Sequence, residues 1–271
     1  MKRYFLLVFL FICIKPVFSQ KGFEIGGLVG ASFYVGDLNP NYSLKTPGPS
    51  IAVLGRYNFN TRTSLRFDIA AGRLLGNDKH SENPFQKARN LSFRTDYIDS
   101  SVDLEFNFFP YVHGSRNHYF TPYIFGGLAF VYYNPKAKLD DKWYALRDYG
   151  TEGQNVGDEY AQISPALSYG IGFKMDFNYE WSLNVEMSAR QMFSDYIDDV
   201  STTYPEMTAL AARRGEIAPL LSDRSGELGE PIGAAGRQRG VSGDKDSYYS
   251  FRIGVVYYIG LLQCPAISRE Q

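Results

Sequence analysis

The stretch of residues 181–190 alternates apolar and polar side chains without a break. Because successive side chains of a β-strand point to opposite faces of the sheet, this pattern predicts a strand with one apolar and one polar face. Similar alternation predicts further strands over residues 23–34, 50–59, 64–72, 98–108, 119–133, 165–178 and 249–260. The facing of the segment 119–133 stays open, because it is apolar on both faces.

Eight strands of this kind fit either a soluble sandwich or a barrel in a membrane, and the connections between them distinguish the two. Links near residues 60–62 and 178–180 are short, and the link 110–118 is of modest length. The other four connections, over residues 36–49, 75–93, 134–162 and 194–247, are long. Short turns that alternate with long loops are typical of outer-membrane barrels. The sequence therefore predicts an all-β fold, an eight-stranded antiparallel up-and-down transmembrane β-barrel with long extracellular loops.

The polar faces of these segments carry almost balanced charges. They hold six acids and five bases, with four arginines to one lysine: Glu24, Arg56, Arg66, Asp68, Asp103, Glu105, Lys174, Asp176, Glu186, Arg190 and Arg252. The lumen of an eight-stranded barrel is just wide enough for side chains to fill it. Arginine forms planar, bidentate pairs with carboxylates. We therefore expect these charges to pair inside the barrel and to plug it.

The chain begins with the features of an export signal. Lys2 and Arg3 precede an apolar run over residues 4–14, and the small residue Ser19 stands at the expected cleavage point. This pattern predicts a signal peptide over residues 1–19. The predicted strands then assign residues 20–260 to the barrel and residues 261–271 to a periplasmic tail. Cys264 in that tail is the single cysteine of the mature chain, so no internal disulfide is expected. The predicted location is the bacterial outer membrane, with both mature termini in the periplasm.

Composition narrows the classes of function. A net charge of -1 with 3 histidines gives no electrostatic footprint for nucleic acid. Aromatic residues make up 16% of the chain, which favours the girdles found where strands cross a bilayer interface. The sequence holds no phosphate-binding glycine motif and no Cys/His metal spacing, so we expect no cofactor and no metal.

Two groups of residues invite a chemical interpretation and have plainer alternatives. Asp195, Asp198 and Asp199 lie together and could hold calcium, but solvated acids or turn caps are the favoured interpretation. His80 is the only histidine in a predicted outer loop and could serve a hydrolase, yet its surroundings are polar and solvated. We therefore expect no catalytic residue and no enzyme. Residues 205–214 predict a short helix with Pro205 in its first position, and residues 235–246 predict a loop.

Seven motifs in order along the chain resemble one family. They are Glu-Ile-Gly-Gly at 24–27, Tyr-Val-Gly-Asp-Leu-Asn-Pro at 34–40, Thr-Pro-Tyr-Ile-Phe-Gly-Gly at 121–127, Tyr-Asn-Pro-Lys-Ala at 133–137, Gly-Thr-Glu-Gly-Gln at 150–154, Asp-Tyr-Ile-Asp-Asp-Val-Ser-Thr-Thr-Tyr-Pro at 195–205 and Arg-Gln-Arg-Gly at 237–240. With these motifs the chain resembles the PorG-like outer-membrane family of the Bacteroidetes type IX secretion system. The resemblance implies a small, non-catalytic barrel that anchors a periplasmic ring to the outer membrane.

Three hypotheses of function follow. The first is a plugged barrel that docks a periplasmic ring lipoprotein and associated secretion-machine proteins through residues 110–118, the two short turns and the tail 261–271. The second is a surface barrel whose long loops bind an extracellular ligand or partner. The third is a small pore. All three have outer-membrane lipid as a partner and none involves nucleic acid.

Overall fold

The computed structural model describes residues 22–41 and 43–260, and within them the strands close into a barrel. The strands are β1 (Gly22–Val35), β2 (Gly48–Asn58), β3 (Thr63–Asn77), β4 (Ser92–Asn107), β5 (Phe120–Leu139), β6 (Lys142–Ala145), β7 (Ile163–Asp176), β8 (Trp181–Met192) and β9 (Ser247–Ile259). Every neighbouring pair is antiparallel, and β1 closes the wall by pairing with both β2 and β9. The predicted eight-stranded barrel is confirmed; β6 is a ninth, short strand that pairs only with the end of β5.

The connections are sorted by length between the two ends of the barrel. The turns 59–62, 108–119 and 177–180 lie at one end, together with Gly22 and Gly260, and we call this the short-turn end. The four long connections lie at the other end, and we call them the outer cap: residues 36–47 without the undescribed position 42, 78–91, 140–162 and 193–246. The predicted alternation of short and long links is confirmed.

Three strands run further toward the outer cap than the alternation predicted. β3 continues to Asn77, β4 begins at Ser92, and β5 continues to Leu139. The backbone ladder carries on there, since Asn77 pairs with Ser92 and Leu139 pairs with Lys142. The polarity of the two faces is reversed in these extensions: inward Leu74 and Phe93 are buried, whereas outward Arg73 and Asp96 are partly exposed and form an ion pair.

The wall of the barrel is apolar outside and polar inside. Outward side chains such as Phe23 and Ile51, each 59% exposed, alternate with inward ones such as Glu24, which is 2% exposed. The facing of β5 is now settled, because Tyr123 and Phe125 point inward and Ile124 points outward. Apolar side chains exposed in such number are unfavourable in water and are what a bilayer accommodates.

Trp181, Leu183, Val185 and Met187 of β8 lie on the outward face, as the opening alternation predicted. Ala189 shares that face by register but is only 4% exposed. Its cross-strand neighbours are Tyr169 and Tyr249. A small side chain between two large ones is shielded by them, which accounts for the burial of Ala189 on this face.

The outer cap contains short helices. They are α1 (Pro84–Arg89), α2 (Met207–Arg214) and α3 (Ile217–Ser222), with single 3₁₀ turns at Asp78–His80, Leu146–Tyr149 and Ser225–Glu227. The prediction of a helix ending before Gly215 is confirmed, but its predicted start at Pro205 is wrong. The carboxylate of Glu206 accepts hydrogen bonds from the Thr208 and Ala209 amides, so the helix begins after this cap. Residues 235–246 form a loop, as predicted.

Among residues 22–41 and 43–260, no helix has both the length and the apolar character needed to cross a bilayer. The predicted signal peptide (1–19) and the predicted tail (261–271), with Cys264, lie outside the described residues.

Candidate functional site: a closed lumen and its two ends

The half of the lumen nearer the short-turn end holds a four-member charge network. Arg56 donates to Glu24 through a short contact and, through Nε, to Glu105 Oε2 at 2.9 Å. Lys174 Nζ donates to Glu105 Oε1 at 2.7 Å. All four side chains have no exposed surface, and they come from β1, β2, β4 and β7. The network therefore ties together strands from different sides of the wall.

A second network fills the middle of the barrel. Arg66 donates to Glu186 at 2.6 Å and to Asp68 at 3.1 Å, and Arg252 donates to the same two acids at 3.0 and 3.2 Å. Arg190 approaches Asp68 at 3.5 Å. Asp68 and Glu186 are thus each shared between two or more cations, which offsets the cost of burying charge.

These networks close the lumen. A channel that admits water would leave the charges along its wall exposed, yet Arg66 is 0% exposed, and Arg56, Glu186 and Arg252 are each 1% exposed. The eleven charged residues that the sequence placed inside are all turned inward, and ten of them belong to ion pairs. The eleventh, Asp103, accepts a hydrogen bond from Ser101 at 2.7 Å.

Above the charged layers the lumen becomes apolar. A buried cluster joins the barrel wall to the outer cap, and its members are Tyr34, Leu38, Leu74, Leu91, Phe93, Tyr97, Ala129, Val131, Tyr133, Ala166, Met192, Ile197, Val200 and Tyr248. Ile197 and Val200 belong to the long fourth connection, so that loop is packed into the mouth of the barrel. The cap is therefore a continuation of the core.

His113 closes the short-turn end. Its Nδ1 lies 3.0 Å from Asp176 Oδ1, its Nε2 lies 3.2 Å from Glu24 Oε1, and its ring stacks on Tyr258 at 4.1 Å. Burial alone would lower the pKa of His113, but the hydrogen bonds to Asp176 and Glu24 outweigh it and raise that pKa above its ordinary value. Tyr111 of the same turn is buried and donates to Asp176 through a short contact.

The outer end is held by buried arginines. Arg239 contacts Glu152 at 3.1 Å and Asp199 at 3.6 Å, and all three side chains are about 1% exposed. Arg89 forms a bidentate pair with Asp78, in which both hydrogen bonds measure 2.8 Å. The Arg239–Glu152 pair joins the fourth connection to the third, and Arg89 also donates to the Arg239 carbonyl, which joins the second connection to the fourth. These contacts hold the connections of the cap in place.

A tyrosine shared by two aspartates fastens the fourth connection. The Tyr34 hydroxyl lies 2.6 Å from Asp198 Oδ2 and 2.8 Å from Asp246 Oδ1. The far oxygen of Asp198 accepts from the Val200 amide at 2.9 Å, and that of Asp246 accepts from the Ile197 amide at 3.0 Å. One hydroxyl has one proton to donate, so both contacts are hydrogen bonds only when one carboxyl keeps its own proton.

The environment of these two aspartates favours that proton. Burial, followed by the charge of Asp246, raises the pKa of Asp198 well above its ordinary value. Burial likewise raises the pKa of Asp246, and the charge of Asp195 adds to the effect. We call Tyr34, Asp198 and Asp246 the aspartate clasp.

The clasp corrects one interpretation of the sequence. The sequence favours solvated loop acids or turn caps for Asp195, Asp198 and Asp199. They are 3%, 1% and 1% exposed, so solvation is wrong, but Asp198 does cap its turn by accepting from the Val200 amide. They turn to separate partners: Asp195 accepts from Ser201 at 2.8 Å, Asp198 from Tyr34, and Asp199 from Tyr160 at 2.8 Å. Within the described part of the chain no group of three or more His, Cys, Asp or Glu residues has the arrangement of a metal site.

Sequence reasoning missed how the two ends close. The sequence places His113 within the link 110–118 but does not indicate that its side chain turns back into the lumen. It likewise gives no sign of the roles of Tyr34, Asp246 and Arg239. A signal did exist at the short-turn end, since residues 110–118 form a turn longer than its two counterparts and contain aromatic and histidine side chains. His80 is exposed in the cap, in keeping with its polar surroundings.

Comparison with known proteins gives likeness in overall fold. The outer membrane protein OprG of Pseudomonas aeruginosa aligns with a TM-score of 0.45 at 12% identity, covering 90% of this chain and 98% of that one. Neisserial surface protein A aligns with a TM-score of 0.43 at 10% identity, covering 87% and 96%. The attachment invasion locus protein Ail of Yersinia pestis aligns with a TM-score of 0.40 at 12% identity, covering 89% and 98%.

A comparison with curated proteins finds no significant match. A family model, by contrast, spans most of the chain. The model described as a domain of unknown function, DUF6089, matches residues 2–216, and the chain belongs to that family.

Proposed function

We propose that this protein is a non-enzymatic, plugged barrel of the bacterial outer membrane that anchors and docks a component of a type IX protein secretion machine. The observation that supports an anchoring role is the closed lumen, because the charge networks and the two capped ends leave no open space inside the barrel. Its working surfaces are then the membrane-facing wall and the two ends. The link to type IX secretion rests on the motif resemblance at residues 24–27 through 237–240.

Placement in the outer membrane is supported by the wall. Its outward side chains are apolar and exposed, and an eight-stranded closed barrel leaves no open sheet edge in the bilayer. Aromatic side chains that include Phe59, Phe108 and Trp181 gather near the short-turn end, as expected at a membrane–water interface. We place the short-turn end in the periplasm, since the shorter turns of such barrels lie there.

The geometry narrows the surface that would dock a periplasmic partner. Tyr111 and His113 are committed to closing the barrel, so they cannot also be presented to a ring. Residues 116–119 of the same turn are exposed, and they include Arg116 and His118. We therefore propose residues 116–119, the neighbouring turn 178–180 and the tail 261–271 as the docking surface.

Absence of catalysis is part of the proposal. His80 and His118 are both exposed, and the described residues place no carboxylate within ion-pair distance of either imidazole. A hydrolytic site of the usual kind needs a base that a second group orients beside a nucleophile. The third histidine, His113, is buried between two carboxylates and a tyrosine ring, where it serves the plug.

The decisive experiment removes the docking surface in two parts. One variant deletes residues 261–271, and the other carries Arg116→Ala with His118→Ala; Lys87→Ala in the outer cap is the matched control. We expect both docking variants to insert normally, to lose co-purification of the periplasmic ring and to lose secretion, while the control keeps all three. Normal ring assembly and secretion in both docking variants would overturn the docking proposal.

A surface-binding role is the second candidate, and the outer cap favours it. Buried pairs such as Arg239–Glu152 hold its loops in one arrangement, and a fixed arrangement lowers the entropic cost of binding. Replacing exposed cap residues while keeping secretion intact would reveal this role as a loss of cell-surface binding. A pore has no comparable support: planar-bilayer recording should show no steady conductance, because the lumen charges are paired and unexposed.

A further inference from the structure

A groove runs along the outside of the barrel, over β8, β9 and β1, close to the outer cap. Its floor is set by strand register. Ala189 faces Tyr249, Met187 faces Phe251, and Phe251 in turn faces Ala31. Ala31 is a small side chain opposite the large Phe251, and it leaves a depression that follows the strands.

The lower half of the groove is apolar. It encloses about 550 Å³ and is lined mainly by Ala31, Phe33, Met187, Phe251 and Leu44. Leu44 comes from the first connection of the cap and is 68% exposed, so it overhangs the wall from outside. The overhang turns a shallow patch of the membrane-facing wall into a walled groove.

The upper half of the groove is polar. It encloses about 610 Å³, and its lining includes Asp37, Gln86, Gln191, Asp244 and Lys245. The two halves meet at Val35 and Tyr249, which line both of them. Apolar and polar lining thus follow one another along the strand direction. From the row of Phe251 to the row of Ser247 the wall rises by about 13 Å, taking about 3.3 Å for each residue.

We propose that this groove holds one phospholipid molecule with a zwitterionic headgroup, with an acyl chain along Ala31 and Phe251 and the phosphate beside Lys245. The inference rests on the proposed placement of the barrel in a membrane. Its axis then runs from the hydrocarbon to the headgroup region, which is the orientation that a lipid already has. The lower half is also continuous with the lipid-facing wall, so an acyl chain enters it without crossing water.

The charges of the upper half suit the zwitterionic headgroup of a phosphatidylethanolamine, with Lys245 for its phosphate and Asp37 and Asp244 for its ammonium. Lys245 is exposed and forms no ion pair within the described part of the chain, so its ammonium is available to an anion. Asp37 points its carboxylate at the Val241 amide, with both oxygens at 3.1 Å. Burial raises the pKa of Asp37 to about 6, so its carboxylate is still mostly ionised near neutral pH and attracts an ammonium group. Gln86 and Gln191 add amide groups that can donate to phosphate or ester oxygens.

Native mass spectrometry of the folded, delipidated protein tests the proposal, with palmitoyl-oleoyl phosphatidylethanolamine as the probe. Ala31→Trp fills the floor of the groove, and Ala71→Trp is its matched control. Ala71 also faces outward and is half-buried, but it lies on β3, away from the groove. We expect the wild type and Ala71→Trp to retain one lipid and Ala31→Trp to bind it about tenfold more weakly, equivalent to about 1.4 kcal/mol.

A second arm tests the headgroup. Dioleoylglycerol has two acyl chains but no phosphate, so Lys245→Gln should weaken binding of the phospholipid and leave binding of dioleoylglycerol unchanged; Lys87→Gln is the control. Equal retention by the two tryptophan variants, or an equal effect of Lys245→Gln on both lipids, would overturn the groove proposal. A chain that fails to fold in lipid at all would instead refute the membrane placement on which the proposal rests.

Discussion

Removal of one lumen carboxylate should expose how strongly the barrel depends on its charge network. Glu186 accepts from Arg66 at 2.6 Å and 2.9 Å and contacts Arg252 at 3.0 Å. Glu186→Gln keeps the shape of the side chain and removes its charge. Arg66 and Arg252 would then share Asp68 as their remaining ion-pair partner, and Asp68 also contacts Arg190.

The expected loss is large because the cations stay buried. Breaking a buried ion pair by removing one partner costs about 3–5 kcal/mol, since the remaining charge has lost its compensation. The stability of a domain is only about 5–15 kcal/mol, so this single change consumes a substantial part of it. Exposed ion pairs contribute about 0–1 kcal/mol, which sets the scale of a change at the surface.

The assay is reversible urea unfolding in phospholipid vesicles, followed by the fluorescence of the 2 tryptophans. Glu180→Gln is the matched control, because Glu180 is exposed in the adjacent turn and the variant loses the same charge. We expect the free energy of unfolding to fall by about 3–5 kcal/mol for Glu186→Gln and by less than about 0.5 kcal/mol for the control. Adding Arg252→Gln should recover part of the loss. A loss below about 1 kcal/mol for Glu186→Gln would refute the buried network.

Three further outcomes follow from other parts of the barrel. Val185→Lys places a charge on the lipid face and should lower the free energy of unfolding in urea by about 2–4 kcal/mol. Asn184→Asp should be tolerated, because position 184 lies beside the lumen arginine Arg56. Equal tolerance of the two changes would contradict the orientation of the barrel wall. The raised pKa of His113 stabilises the barrel fully below pH 6.5, and this contribution is lost as the pH rises through the higher folded value, so His113→Gln should flatten the measured dependence of stability on pH. Asp198→Asn should strengthen the aspartate clasp at pH 8, because the new side-chain amide can donate to the Tyr34 hydroxyl without a bound proton. Slower hydrogen exchange of the nearby backbone amides in the variant would show this. Exchange rates that do not change from pH 5 to pH 8 in either protein would refute it.

The barrel was predictable because strand alternation and loop length are local properties of the sequence. Glu186 and Arg252 could even be assigned to one face, and their direct cross-strand pairing follows once β8 and β9 are adjacent. The contact between Glu186 and Arg66 was not predictable, since β3 and β8 are not neighbours in the wall. It depends on how far each side chain reaches across the lumen.

Apolar and polar alternation cannot predict the facing of β5, because the contacts of its inward side chains determine it. Both of its faces are apolar, but the inward Phe125 lies 4.3 Å below the Arg66 guanidinium and the inward Tyr123 lies 5.4 Å from Lys174. Gly170 and Gly172 of β7 face these two rings, and a Cβ at either glycine would collide with its ring. The two glycines therefore indicate the inward face of β5, but they can be interpreted only once β5 and β7 are known to be neighbours.

A plugged lumen changes what such a barrel can contribute to a larger assembly. Each network joins strands across the interior: Arg56 on β2 contacts Glu105 on β4, and Arg66 on β3 contacts Glu186 on β8. A force applied at the short-turn end is thus shared across the wall instead of falling on one hairpin. Cross-links of this kind are of little use to a pore, whose lumen must stay clear, and they suit an anchor, whose wall must not deform. Residues 116–119 of the proposed docking surface follow His113 in the same turn, so a load on them would pass through His113 into Glu24 and from there, through Arg56, into the network.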